Sequence, residues 1–203
     1  MVASISRTIS MTRRFLITGT GARVGKTTVG CALGFAMRAR GLRVGVMKPV
    51  DTLESQDAQA LALAVGSILP MELICPCRYN STPATKDSID LAHIARCFNQ
   101  IAAQNEVVLV ESADMIDFAD VAARLGLEVI LVVGNRSGCV DATRLTLDRC
   151  ERRALKVAGY ILCDCDPAPA VNDQLLHQIV KAPYLGRMRH REPLARTIVE
   201  KLI

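Results

Sequence analysis

FLITGTGARVGKTTVGCAL, residues 15–33, brings three signals together. The apolar FLIT (15–18) has strand character, GTGARVGKTT (19–28) is a glycine-rich turn, and a helical period runs over 26–40 before Gly41 closes it. Gly19, Gly21 and Gly25 let the backbone curl so that successive N–H groups aim at one point, and the helix N-terminus adds its positive end. That geometry suits phosphate oxygens. Lys26 is placed to bridge the β- and γ-phosphates of a nucleotide, and Thr27 to offer its hydroxyl to Mg²⁺. The expected nucleotide contacts are Gly21, Ala22, Arg23, Val24, Gly25, Lys26, Thr27 and Thr28. Thr20 stands where the strict phosphate-loop pattern has glycine, so the loop is a variant.

Outward from this loop, short apolar runs alternate with stretches of helical period, the mark of repeated βα units. Strands are expected at 15–18, 43–50, 106–111, 129–133, 157–163 and 182–188. Several are continuous apolar runs, as parallel strands covered on both faces require. Helices fit at 26–40, 56–65, 88–104, 117–125 and 138–152, with two more at 170–181 and 191–202. The fold class is α/β: a single doubly wound domain over residues 13–203, its mostly parallel sheet flanked by helices, of the P-loop NTPase kind. Ligands of such a sheet bind at the carboxyl ends of the strands. Residues 1–12, MVASISRTISMT, read as a loose tail, with Met11 a candidate start.

Composition narrows the function. The 203 residues are 50% hydrophobic and 22% charged, enough for a core and too little charge for a disordered chain. Lys+Arg 25 against Asp+Glu 20 gives a mild +5, and the dense basic cluster is confined to RMRHRE at 187–192. With 4 Phe, 3 Tyr and no Trp, the chain lacks a base-stacking platform, so a nucleic-acid partner is not expected. Eight cysteines in a chain this long read as thiols of the cytoplasm rather than a disulfide scaffold. No apolar run reaches the ~18 residues of a membrane span, so no membrane association is expected.

Three further charged residues fall at or just past strand ends. Glu111 closes EVVLVE, where a carboxylate reaches a phosphate-bound metal directly or through water. Asp57 lies past the second strand at a helix start, open to two readings, metal ligand or an acid stabilised by the helix dipole. Lys48, in VMKPV, puts a cation where phosphoryl or carbamate oxygens would carry charge. Cys75-Pro-Cys77 and Cys163-Asp-Cys165 are C-x-C pairs that could hold a soft metal or be small packed residues. His93, His177 and His190 stand apart and read as packing or surface residues, Cys139 as a small residue at a helix start, and Arg187, Arg189 and Arg191 as a solvated rim.

FLITGTGARVGKTTVGCAL, RVGVMKPV (43–50), VVLVE (107–111), VILVVGNRSGCVDATRLT (129–146) and APYLGRM (182–188), in this order and spacing, resemble the dethiobiotin synthetase family over residues 13–190. The resemblance implies a homodimeric enzyme that uses Mg-ATP and CO2 to close a cyclic urea on a vicinal diamine, diaminopelargonate, in biotin synthesis. A carbamate on one amine attacks the γ-phosphate, and the second amine closes the resulting anhydride. By the same resemblance Lys26 and Lys48 are the catalytic cations, and Thr27, Asp57 and Glu111 the magnesium ligands.

The departures gather on one side. Where the family has an acid and threonine before Val-Gly-Lys-Thr, this chain has Gly21, Ala22 and Arg23. Its Lys-Pro-Val is followed by Asp51, Thr52 and Leu53, which keeps the hydroxyl, a substrate contact, and loses a glycine. Val-Glu-Gly-Ala-Gly-Gly becomes VESADMIDFAD (110–120), about ten residues shorter than the family's loop, and TPATKDS (82–88) lacks the family's histidine. Cys163 replaces the asparagine that reads adenine, and a carboxylate at Asp164 or Asp166 could accept from guanine, which leaves GTP open beside ATP. Phosphate-holding groups are thus kept and diamine- and base-holding groups changed. The alternatives are a synthetase-like NTPase with another acceptor, a metal-trafficking or regulatory dimeric NTPase, and a nucleotide-binding scaffold.

Overall fold

A computed structural model describes residues 12–80, 89–114, 116–164, 173–189 and 196–203. The chain runs β1 (Arg13–Gly19), α1 (Lys26–Arg38), β2 (Val44–Met47), β3 (Val50–Thr52), α2 (Asp57–Ala64), α3 (Met71–Ile74) and β4 (Cys77–Tyr79). It continues with α4 (Leu91–Ala102), β5 (Val107–Glu111), α5 (Phe118–Leu125), β6 (Glu128–Gly134), α6 (Cys139–Arg152), β7 (Val157–Cys163), α7 (Asp173–Ile179), β8 (Tyr184–Met188) and α8 (Arg196–Glu200).

Six strands form one parallel sheet in the order β2-β5-β1-β6-β7-β8. Alternation along each strand sends side chains to two layers. Phe15 and Ile17 of β1, Leu109 of β5 and Val132 of β6 pack with Val29, Leu33 and Met37 of α1 and Leu61 of α2. Leu16, Val108 and Val110 face the opposite way, onto Ile94, Phe98 and Ile101 of α4 and Val121 of α5. Farther along that face, Leu131, Val133, Tyr160 and Leu162 pack with Leu176 of α7. Each such apolar side chain contributes about 1.5–3 kcal/mol, so both faces are fixed by burial rather than by helix propensity. Close packing also dictates Gly34 on α1, where an added Cβ would stand 2.6 Å from Val65 Cγ1.

The helical expectations shorten at their ends. The strand expected over 43–50 does not stay whole: β2 ends at Met47, Lys48 and Pro49 intervene, and β3 leaves the main sheet to pair in parallel with β4. Pro49 brings no amide hydrogen to a ladder, and the Lys48 amide donates instead to the Ile74 carbonyl at 2.8 Å. The short α3 and β4 carry too few residues for a periodic signal. Residues 1–11 of the expected tail, and parts of the helices expected at 170–181 and 191–202, lie outside the described residues.

Candidate functional site

The carboxyl ends of β1, β2 and β5 converge. β1 lies between β5 and β6, with Ile17 in register with Glu111, so the loop leaving Gly19 opens beside Glu111 and Lys48. Gly25 turns that loop into α1 at φ +93, and a Cβ there would stand 2.6 Å from Cys163 Sγ. Both constraints require glycine. Val24 is fully buried in the core, so its side chain anchors the loop, while Arg23, Gly25, Thr27 and Thr28 line a cleft of about 430 Å³ with Lys26, Lys48, Asp57, Glu111, Ser112 and Asp114.

At the floor of this cleft Glu111, 1% exposed, is the hub. Its Oε1 accepts from Lys48 Nζ at 2.6 Å and from the Thr27 hydroxyl at 2.9 Å. Lys48 Nζ also meets Asp57 Oδ2 at 3.2 Å, which ties the first turn of α2 to the strand ends. Burial opposes charge on Lys48, but the Glu111 carboxylate, its hydrogen bond, and the nearby Asp57 and Asp51 outweigh it and raise the lysine above its ordinary pKa. The ammonium is held charged at neutral pH. Glu111 Oε2 is buried with no partner among the described residues. An orphaned buried carboxylate oxygen beside a hydroxyl and a second carboxylate is a hard-oxygen set, and it fits Mg²⁺.

Lys26 lies against the other wall, its Nζ 2.8 Å from Asp114 Oδ1 and 3.3 Å from the Gly21 carbonyl. A second cleft of about 420 Å³ opens there, lined by Gly21, Ala22, Lys26, Ser112, Ala113, Asp114, Ile116, Phe118, Leu145 and Arg149 among others. Thr52, on β3, lines neither cleft, so its expected substrate role finds no support in the geometry. Asp114 was not foreseen from the sequence. It is three residues beyond Glu111 in a loop whose path no periodicity specifies.

At the ends of β6, β7 and β8 the structure corrects one expectation. Arg187 is not a solvated rim residue: Nε and Nη2 both bond the Asp164 carboxylate at 2.9–3.0 Å, and Nη1 meets Asp173 at 3.2 Å. Asn135, fully buried just past β6, donates to Asp164 Oδ1 at 2.7 Å. Burial would raise Asp164, but the Arg187 and Asn135 hydrogen bonds prevail and hold its pKa below the ordinary carboxylate value. Both oxygens of Asp164 are thereby engaged within the protein. Cys163 meets Gly25 through its side chain, which links the base end of the crevice to the phosphate loop.

The remaining candidates fall elsewhere. Burial pushes the Cys75 thiol up to about 12, which disfavours the thiolate that a soft metal needs. Cys165 lies outside the described residues, as do His190 and Arg191. Among the described residues no group of three or more His, Cys, Asp or Glu is gathered to hold a metal. His93 takes part in the first turn of α4, its amide capped by Asp90, and His177 Nδ1 is hydrogen-bonded to the Tyr160 hydroxyl. Cys139 is buried at the start of α6, where its carbonyl accepts from Thr143.

A parallel sheet whose central strand feeds a glycine-rich loop, Lys26 and Thr27, with Glu111 on the neighbouring strand, defines a P-loop nucleotide-binding protein. The comparisons agree. A family model described as an AAA domain matches residues 13–197. A chain of the MinC:MinD cell division protein complex of Aquifex aeolicus superimposes with a TM-score of 0.65 at 16% identity, over 93% of this chain and 86% of that one. A ParA family ATPase from Chlorobium tepidum gives 0.59 at 15% identity, over 94% and 98%. An ATP-dependent dethiobiotin synthetase from Anaeromyxobacter dehalogenans is 35% identical over 90% of this chain and 88% of its own length. That of Janthinobacterium sp. is 33% identical over 84% and 85%. The chain belongs to the dethiobiotin synthetase family.

Proposed function

We propose that the protein is an ATP-dependent dethiobiotin synthetase, a cyclo-ligase that forms C–N bonds. The observation that carries this reading is the Thr27–Glu111–Lys48–Asp57 cluster packed beside Lys26, in a chain 35% identical to a dethiobiotin synthetase over nearly its full length. Residues 21–28 hold the triphosphate, with Cys163 and Asp164 at the base end. Thr27, Asp57 and Glu111 would hold Mg²⁺, which when bound neutralises charge on the phosphate oxygens.

Lys26 and Lys48 face the transferring phosphoryl group from two sides. One amine of the diamine takes up CO2 and releases a proton. The carbamate oxygen bonds to the γ-phosphorus as the bond to ADP breaks, and the second amine then closes the ring and expels phosphate. The chain contributes position and fixed positive charge, which act most strongly where water is excluded. Lys48, raised by its carboxylate neighbours, keeps its charge throughout. We place the enzyme in the cytoplasm as a homodimer, acting on small molecules. Among the described residues no helix is long and apolar enough to cross a membrane.

Phosphate release from Mg-ATP and Mg-GTP, with and without diaminopelargonate and bicarbonate, tests the reading, with Lys26→Ala as the blank. The expected result is release stimulated by the diamine and absent in the variant. Release indifferent to the diamine would contradict the assigned acceptor.

A further inference from the structure

Asp114 has no part in the phosphate and magnesium roles assigned above, yet its carboxylate is the salt-bridge partner of the phosphate-loop lysine. The Asp114 side chain is 63% exposed and the Lys26 side chain 9%, so the lysine is held in place while the aspartate projects into open space. It stands at the boundary of the two clefts and lines both. The second cleft has apolar walls of Ala113, Ile116, Phe118 and Leu145. Its two lining cations are Lys26 and Arg149, and Arg149 already pairs with Asp117 at 3.0 Å. The phosphate loop brings no carboxylate of its own, since residues 21–23 are Gly, Ala and Arg.

A nucleotide triphosphate carries several negative charges to Lys26 and displaces a single carboxylate from it. The released Asp114 is then a carboxylate parted from its cation, beside the phosphoryl group and the apolar wall of the cleft, with Arg149 held by Asp117. Resting on the synthetase reading above, we propose that Asp114 is a substrate-binding residue that exchanges Lys26 for an ammonium group of the diamine, so that nucleotide binding creates the amine site. An alkyl diamine suits the cleft, with its carbon chain on the apolar wall and its cationic end on the carboxylate.

Opposite shifts in two constants test this. For Asp114→Asn, titration calorimetry with a non-hydrolysable ATP analogue and Mg²⁺ should show about 2- to 5-fold tighter nucleotide binding, because an ion pair of this exposure no longer competes. The diamine KM should rise about 10- to 100-fold with kcat changed much less, the loss expected of a charged hydrogen bond. Asp114→Glu, which keeps the charge, should recover most of the KM. A structural role would move the thermal midpoint and weaken both ligands together. Unchanged or weaker nucleotide binding in Asp114→Asn, or an unchanged KM, overturns the exchange. A parent protein that makes no cyclic urea overturns the synthetase reading and the diamine half with it, whereas an active parent with an indifferent Asp114→Asn overturns the exchange alone.

Discussion

The phosphate end and the base end of the crevice are both built from buried ion pairs at strand ends, and they use them differently. At the phosphate end, Lys48 and Thr27 both take Glu111 Oε1, Asp57 sits on Lys48, and Oε2 has no partner among the described residues. At the base end, both oxygens of Asp164 are taken by Arg187 and Asn135. The first arrangement leaves a carboxylate oxygen facing the phosphate cleft, whereas the second engages both Asp164 oxygens in joining β6, β7 and β8, and the oxygens there without a partner among the described residues belong to Asn135 and Asp173. Among the orphaned buried atoms, the Glu111 oxygen is set apart by its surroundings, since it lies in the cleft lined by the phosphate loop.

Substitutions on the two ends should therefore fail differently. The largest effect is expected from Lys26→Ala, which should abolish measurable nucleotide binding and reduce turnover by about 10³-fold or more, with the fold intact by circular dichroism. Glu111→Gln should lower kcat by about 10²–10³-fold while nucleotide affinity stays within a few-fold, because the loop still holds the phosphates. Equal loss of binding and turnover would make Glu111 a scaffold residue like Asp164. Gly25→Ala should cost about 3 kcal/mol of stability, since a left-handed backbone and a collision with Cys163 coincide there; thermal denaturation reads this directly.

Asp164→Asn should cost about 2 kcal/mol at neutral pH by leaving Arg187 without its charged partner, with little effect on kcat. Its pH dependence follows from sign. The folded pKa of Asp164 is depressed below the ordinary 3.8, so its stabilisation is full above that value and disappears as pH falls through the folded pKa. Acid titration of the denaturation midpoint should show this limb in the parent and a flatter one in the variant.

The two ends also differ in how far the sequence discloses them. Gly25, Lys26 and Thr27 are consecutive, follow a strand and open a helix, so a local pattern carries their geometry. Glu111 and Lys48 are legible because strand ends converge in a parallel sheet, a rule of topology rather than of local spacing. The Asp164–Arg187 pair joins residues on neighbouring strands through a register that no periodicity supplies. Seen as a sequence, Arg187 is one basic residue in RMRHRE; seen beside β7 it is half-buried and paired with a carboxylate. Asp114 escaped for another reason, since its loop replaces a glycine-rich motif and only the fold shows which lysine it meets. The division of 43–50 was hidden because an apolar run is the same whether one strand continues or two part at Pro49.

Incorporation of ¹³C from labelled bicarbonate into the cyclic urea, followed by mass spectrometry with saturating Mg-ATP and diaminopelargonate, tests the central claim most directly. The account predicts one labelled carbon per product and one phosphate released per ring closed. Phosphate release without labelled dethiobiotin would contradict it.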